Sequence, residues 1–178
     1  MPVRTRSLKR LSWLSINILL NLVAASVIAA HQDTLAAVIT LAVFLPMISD
    51  MSGASGNQAV AVSIREMTLG LLRPYEYLRV VVKEGAVGIL NGLVLGTLLG
   101  TLAVLWKGNL YLGLVVGGAL ALNTMIAVVL GGSIPLALRA LKLDPALASG
   151  PILTTITDMC GFFMVLTFAS LLLARLAM

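Results

Sequence analysis

The chain has 178 residues, 60% of them hydrophobic and only 11% charged, with a net charge of +5. A soluble domain carries roughly a quarter charged residues, so this composition excludes one and points to a single all-α bundle in a membrane. The basic residues lack the interleaved aromatics of a nucleic-acid surface, and the lone Cys160 excludes an intrachain disulfide or a thiolate metal cluster.

In chain order, Arg4, Arg6, Lys9 and Arg10 form a basic N-terminus (1–10), expected on the cytoplasmic side. The apolar run 11–30 follows as the first membrane helix. A basic start before an apolar run also resembles a signal peptide, but this run is too long and Ile28 is not the small residue a cleavage site requires. A short polar turn holds His31, read as a surface residue, and Asp33, read as solvated or as the cap of the next helix. The second run, 34–57, contains Pro46, Asp50 and small residues at 52–55, so a kink or partial unwinding is expected.

The stretch 59–83 keeps helical periodicity but carries Arg65, Glu66, Arg73, Glu76 and Arg79, with Pro74 interrupting it. It reads as a cytoplasmic extension of the second helix followed by an amphipathic segment at the inner surface. The third helix, 85–106, places Gly88, Gly92, Gly96 and Gly100 at four-residue spacing on one face. Such a stripe lets backbones approach closely and reads as a packing seam, with Asn91 beside it as an interhelical hydrogen-bonding group. Gly113, Gly117 and Ala121 repeat the device on the fourth helix, 110–130, which Gly131, Gly132 and Pro135 are expected to end or kink. Asp144-Pro145 is a turn signal that can also cap the fifth helix, 151–174.

Charge orients the bundle. With the N-terminus inside, ten Lys and Arg fall in inner segments, against Lys107 and Arg175 outside. That bias predicts N-in and C-out for five spans; the expected location is a bacterial or archaeal plasma membrane, crossed several times. Trp106 and Tyr111 flank the outer turn 107–109 as interfacial aromatics, and Trp13 does so inside.

One carboxylate interrupts the fifth helix. Asp158 lies within the apolar stretch 151–175, where a charge costs at least about 2.5–3.5 kcal/mol, so it must face protein or water. Pro46, Asp50, Gly53 and Asn57 share one face of the second helix, with Ser49 and Gly56 beside it. Pro151, Thr154, Thr155, Asp158 and Gly161 form a matching stripe on the fifth. Together the stripes offer carboxylates, hydroxyls, an amide and exposed carbonyls, a hard-oxygen surface suited to Mg²⁺, Ca²⁺ or Na⁺. One such carboxylate per chain is a weak divalent site; two, paired across a twofold axis, would favour a divalent ion held through its water shell. A proton relay and a structural, hydrogen-bonded Asp are the other readings of the same residue.

The order Pro46, Gly53-Ala-Ser-Gly56-Asn57-Gln58, Ser63-Ile64-Arg65 and Gly70 resembles the second-helix signature of MgtE-type magnesium channels. Glu84-x3-Gly88-x2-Asn91-Gly92 is similar to that family's third-helix start. Asp144-Pro145-Ala146-x-Ala148-Ser149-Gly150-Pro151, then Thr155 and Asp158-x2-Gly161, is similar to its fifth helix. The resemblance implies a homodimer of five-helix subunits with the pore at the interface, between second and fifth helices. It places the family's ion-binding aspartate on Asp158 and its pore-lining positions on Gly53, Gly56 and Asn57. The transported ion it implies is Mg²⁺, largely hydrated, and no other cofactor.

Full-length relatives carry a cytoplasmic N-terminal domain and paired CBS domains. Only about ten residues precede the first helix here, so gating is expected to come from elsewhere, such as a separate cytoplasmic regulatory protein. Asp50 departs from the usual uncharged stretch and is expected to add an inner cation contact or to pair with an arginine. Glu84 is read as a salt-bridge partner at the basic inner surface or as an inner-mouth cation contact. Two alternatives to a channel remain: a cation/H⁺ or cation/Na⁺ exchanger, and a membrane scaffold for a sensor protein. No nucleophile–base pair, phosphate-binding glycine loop or His/Cys metal spacing supports an enzyme.

Overall fold

The computed structural model describes residues 3–72 and 76–176, leaving aside the side chains of residues 5, 6, 9 and 10. Within it the chain forms α1 (Val3–Ala30), α2 (Gln32–Ala37), α3 (Leu41–Thr68), α4 (Tyr77–Lys107), α5 (Leu110–Ala140), α6 (Pro145–Leu171) and α7 (Leu173–Leu176), with no strand among the described residues. Among the described residues, four helices are long and apolar enough to cross a membrane: α1 from Leu11, α4, α5 and α6. α3 is 28 residues long, but Asp50, Arg65, Glu66 and the serines and amides between 49 and 63 make it less apolar.

The glycine stripes decide how the helices pair. α4 and α5 make the most extensive contact in the fold. A Cβ on Gly96 would stand 2.5 Å from the Gly117 carbonyl oxygen, and one on Gly100 2.8 Å from that of Gly113. The two backbones therefore touch directly, the close approach by which small residues associate helices in lipid. The seam predicted from spacing is thus present, with Gly88 and Gly92 continuing it against Met125 and Ala121.

α5 is the central helix, packed against α3, α4 and α6, while α1 rests mainly on α6. An apolar core of Leu41, Phe44, Ile48, Val116, Leu120, Val165 and Leu166 fills the half of the bundle nearest the Lys107–Leu110 turn. In the other half the buried contacts turn polar: the Ser63 hydroxyl donates to the Gly132 carbonyl at 2.9 Å.

Three segments differ from the sequence expectation. The second helix is broken near Val38–Thr40 into α2 and α3, and α3 then runs unbroken past Pro46. In the stretch 59–83 the expected extension of the second helix is present, residues 59–68 ending α3, but residues 77–83 begin α4 rather than lying as a separate amphipathic segment. Gly70 explains the break: at φ 72° it takes the left-handed conformation, and the Leu71 N–H donates back to the Glu66 carbonyl at 2.9 Å. Leu72 then anchors the turn against Val80 and Leu136; Arg73 and Pro74 lie outside the described residues. Finally, α5 continues through Gly131, Gly132 and Pro135 to Ala140. A proline inside a helix removes one backbone donor, a loss that neighbouring helices can offset in a buried setting.

The helix ends follow the local chemistry. Gly108 closes α4 at φ 70°, and the Asn109 side chain accepts from the Leu112 N–H at 3.1 Å to start α5. Asp144 caps α6, accepting from the Ala146 N–H at 3.0 Å, with Pro145 at the first helical position. The short α2 is preceded by His31, whose Nδ1 lies 3.0 Å from the Val27 carbonyl, rather than capped by Asp33.

Candidate functional site

The polar stripes of α3 and α6 face each other across an open groove of about 580 Å³. Helical spacing of three and four residues brings Pro46, Asp50, Gly53 and Asn57 to one wall. Thr154, Asp158 and Phe162, at intervals of four, form the other.

Asp158 is half-buried, and the Ser49 hydroxyl donates to its carboxylate across the two helices. That bond fixes the carboxylate's direction while leaving its second oxygen available. The Thr154 hydroxyl donates to the Gly150 carbonyl at 2.6 Å, which leaves its own lone pairs free to accept. Asp50 and Asn57 are exposed in the groove, and a Cβ on Gly150 would lie 3.9 Å from the Asn57 amide oxygen. Two carboxylates, two hydroxyls and an amide thus line one path.

This donor set is all hard oxygen, the preference of Mg²⁺ and Ca²⁺ over thiophilic metals. Among the described residues no three His, Cys, Asp or Glu side chains gather as a chelating cluster. The groove therefore suits a cation that keeps much of its water, with charge from the carboxylates and hydrogen bonds from the rest.

Other predicted residues lie on neighbouring faces. A Cβ on Gly56 would meet the Ala127 carbonyl and the Leu153 side chain, both at 2.8 Å, so in this chain Gly56 serves the α3–α5 contact. The Thr155 hydroxyl lies 2.9 Å from the Pro151 carbonyl and 3.2 Å from Asn17 Oδ1, facing α1. Gly161 faces α5, where a Cβ would stand 2.7 Å from Asn123 Nδ2. Glu84 is buried in the α4–α5 seam against Gly132, away from the groove, while its neighbour Lys83 pairs with Glu66 at 3.2 Å.

Sequence reasoning overlooked Asn123. Its side chain is fully buried on α5 and donates to Ser52 Oγ at 2.6 Å and to the Thr157 carbonyl at 2.9 Å. The signal was available: an amide within an otherwise apolar membrane helix is expensive and marks a specific partner.

Residues 45–168, which include both walls of the groove, match the family model MgtE, a divalent cation transporter. The chain is 37% identical over 150 residues to a protein named magnesium transporter MgtE from Bacillus subtilis, covering 84% of this chain and 33% of that one. It is 38% identical over 166 residues to the protein of that name from Thermus thermophilus, covering 93% and 37%. A third, from Enterococcus faecalis, is 31% identical over 170 residues, covering 96% and 37%. The chain spans about a third of the length of the curated relatives it matches. Its long apolar helices make it a membrane protein, and by these matches it belongs to the MgtE family of divalent cation transporters.

Proposed function

We propose that this chain carries Mg²⁺ across the plasma membrane along the α3–α6 groove, with Asp158 binding the largely hydrated ion. The observation that carries the reading is the meeting of Asp158, Ser49, Thr154, Asp50 and Asn57 on one groove, in a chain whose relatives are named magnesium transporters. A carboxylate exposed to lipid would not be tolerated at this depth, so the groove needs water and a partner surface. A second copy meets both needs. Placed about a twofold axis, it would close the groove into a pore between the α3–α6 pairs and set two Asp158 carboxylates across it. In this arrangement α1, α3, α4, α5 and α6 are the five spans, N-in and C-out, and α3 carries its polar stripe because it lines water rather than lipid. Of the predicted lining residues, Asp50, Gly53, Asn57, Thr154 and Asp158 form the path.

The test is Mg²⁺ entry into proteoliposomes holding the purified chain, read by an internal Mg²⁺ dye with and without opposing proton or Na⁺ gradients. Saturating entry down a Mg²⁺ gradient alone supports a channel-like path. Entry only with a counter-ion gradient supports an exchanger instead, and no entry of any divalent ion contradicts the proposal.

A further inference from the structure

Three helices meet behind Asp158, and one side chain joins them. Asn123 has both amide hydrogens committed: one to the Ser52 hydroxyl on α3, the other to the Thr157 backbone carbonyl on α6. Thr157 directly precedes Asp158. Ser52, one turn beyond Ser49, donates in turn to the Ile48 carbonyl at 2.7 Å. The Ser49 hydroxyl reaches the Asp158 carboxylate from the same turn of α3. The bonds close a ring running from Asn123 through Ser52, the 48–52 turn, Ser49, Asp158 and Thr157 back to Asn123.

Gly161 makes this ring possible. The Thr157 carbonyl already accepts within its own helix, from the residue four positions on, which is Gly161. Helical side chains lean toward the N-terminus, so any side chain at 161 would cover that carbonyl. A Cβ there would stand 2.7 Å from Asn123 Nδ2 and 3.4 Å from the Ile48 side chain. Its bareness lets a third helix reach the peptide unit that leads into Asp158.

We propose that Asn123 is a positioning residue for cation binding: its amide, received by Gly161, locks α3 and α6 in the register that holds Asp158 against Ser49. A fully buried amide that spends both hydrogens on two different helices is costly unless the geometry is needed, and ordinary packing at this point would be met by leucine. Asn123 touches no ion; it acts on the ligand through the backbone beside it. This role rests on the reading of Asp158 as the ion-binding group.

Two readouts test it in the full chain. The first is the Mg²⁺ concentration for half-maximal entry in proteoliposomes, where partners that orient a metal ligand typically alter affinity about 10–100-fold when removed. Asn123→Leu should raise that concentration at least about tenfold with the maximal rate and the elution profile unchanged. Gly161→Ala should do the same, and the double variant should be no worse than either alone, because both break one ring. The second readout needs no transport. Cys160 is the one thiol, half-buried and three residues past Thr157, so loosening α6 should speed its labelling by a maleimide.

If Asn123→Leu fails to assemble, Gly161→Ala adds a single methyl and carries both measurements. Unchanged half-saturation and labelling in these variants, in a protein whose entry is lost in Asp158→Asn, would overturn the role of Asn123. Effects of the two substitutions that add would overturn the shared ring. Were entry indifferent to Asp158→Asn, the transport reading would fall, and Cys160 labelling alone would decide whether Asn123 holds α6.

Discussion

On the proposed function, two interactions of different size act on Asp158. The hydrogen bond from Ser49 to a charged acceptor is worth about 1.5–3 kcal/mol. Two unit charges 4 Å apart in an effective dielectric of about 20 attract by about 4 kcal/mol, and a dication feels twice that. On that reading a cation dominates when bound, and Ser49 keeps the carboxylate aimed when none is. Asp50 sits differently: exposed in the groove, it acts through solvent, where single charge pairs are worth about 0.2–1 kcal/mol. Asp50→Asn should preserve transport and weaken divalent affinity by no more than about fivefold, and the difference should shrink at high salt. Loss of all entry in Asp50→Asn would mean that Asp50 ligates the ion. The stripes holding these residues were legible because helical spacing alone puts 50, 53 and 57, or 154 and 158, on one face. Gly56, Thr155 and Gly161 belong to the same stripes yet look toward α5, α1 and α5 in this chain. A stripe wide enough to hold two residues per turn faces two neighbours, and spacing does not say which.

At the scale of the element, the α4–α5 seam sets the strictest limits. A Cβ at Gly92 already collides with the Ala121 carbonyl, which belongs to a backbone that cannot turn aside. Gly92→Leu should cost more than the roughly 1–3 kcal/mol usual for overpacking, and the purified protein should lose its single elution peak. Gly118 provides the contrast, since a Cβ there meets nothing within 4 Å. Gly118→Ala should keep assembly and raise thermal stability by about 0.5–1 kcal/mol, the ordinary gain of alanine over glycine in a helix. Lys142 takes φ 61° in the turn after α5, a conformation glycine adopts freely and lysine does not. Lys142→Gly should therefore raise the melting temperature, and a fall would show that the Lys142 side chain holds the loop. The seam was readable from strict four-residue spacing. The division of 59–83 was not, because it depends on Leu72 meeting Val80 and Leu136 from distant parts of the chain.

For the whole molecule, composition and charge carried most of the reading. Four of the five spans expected from hydropathy are helices long and apolar enough to cross a membrane, and the membrane setting and the family follow from hydropathy and motif order. α1 leaves Leu14, Ile18, Leu19 and Leu22 exposed, a surface that would be unstable in water and is ordinary against lipid. Pairing of two copies is proposed from the open groove, since no single-chain periodicity encodes it. Orientation is testable directly in a Cys160→Ala background. An impermeant maleimide added outside should label Gly108→Cys and spare Lys142→Cys; the reverse pattern would invert the proposed topology.

The central claim is that cations cross beside Asp158. The most direct measurement is Mg²⁺ entry into proteoliposomes for the wild type and Asp158→Asn side by side, under a Mg²⁺ gradient and matched incorporation. Asparagine keeps an oxygen for the Ser49 hydroxyl and removes only the charge, so the variant should fold and elute like the wild type. The account predicts entry in the wild type and its loss in Asp158→Asn. Equal entry in both would contradict it, placing the path elsewhere and leaving Asp158 a structural acceptor for Ser49.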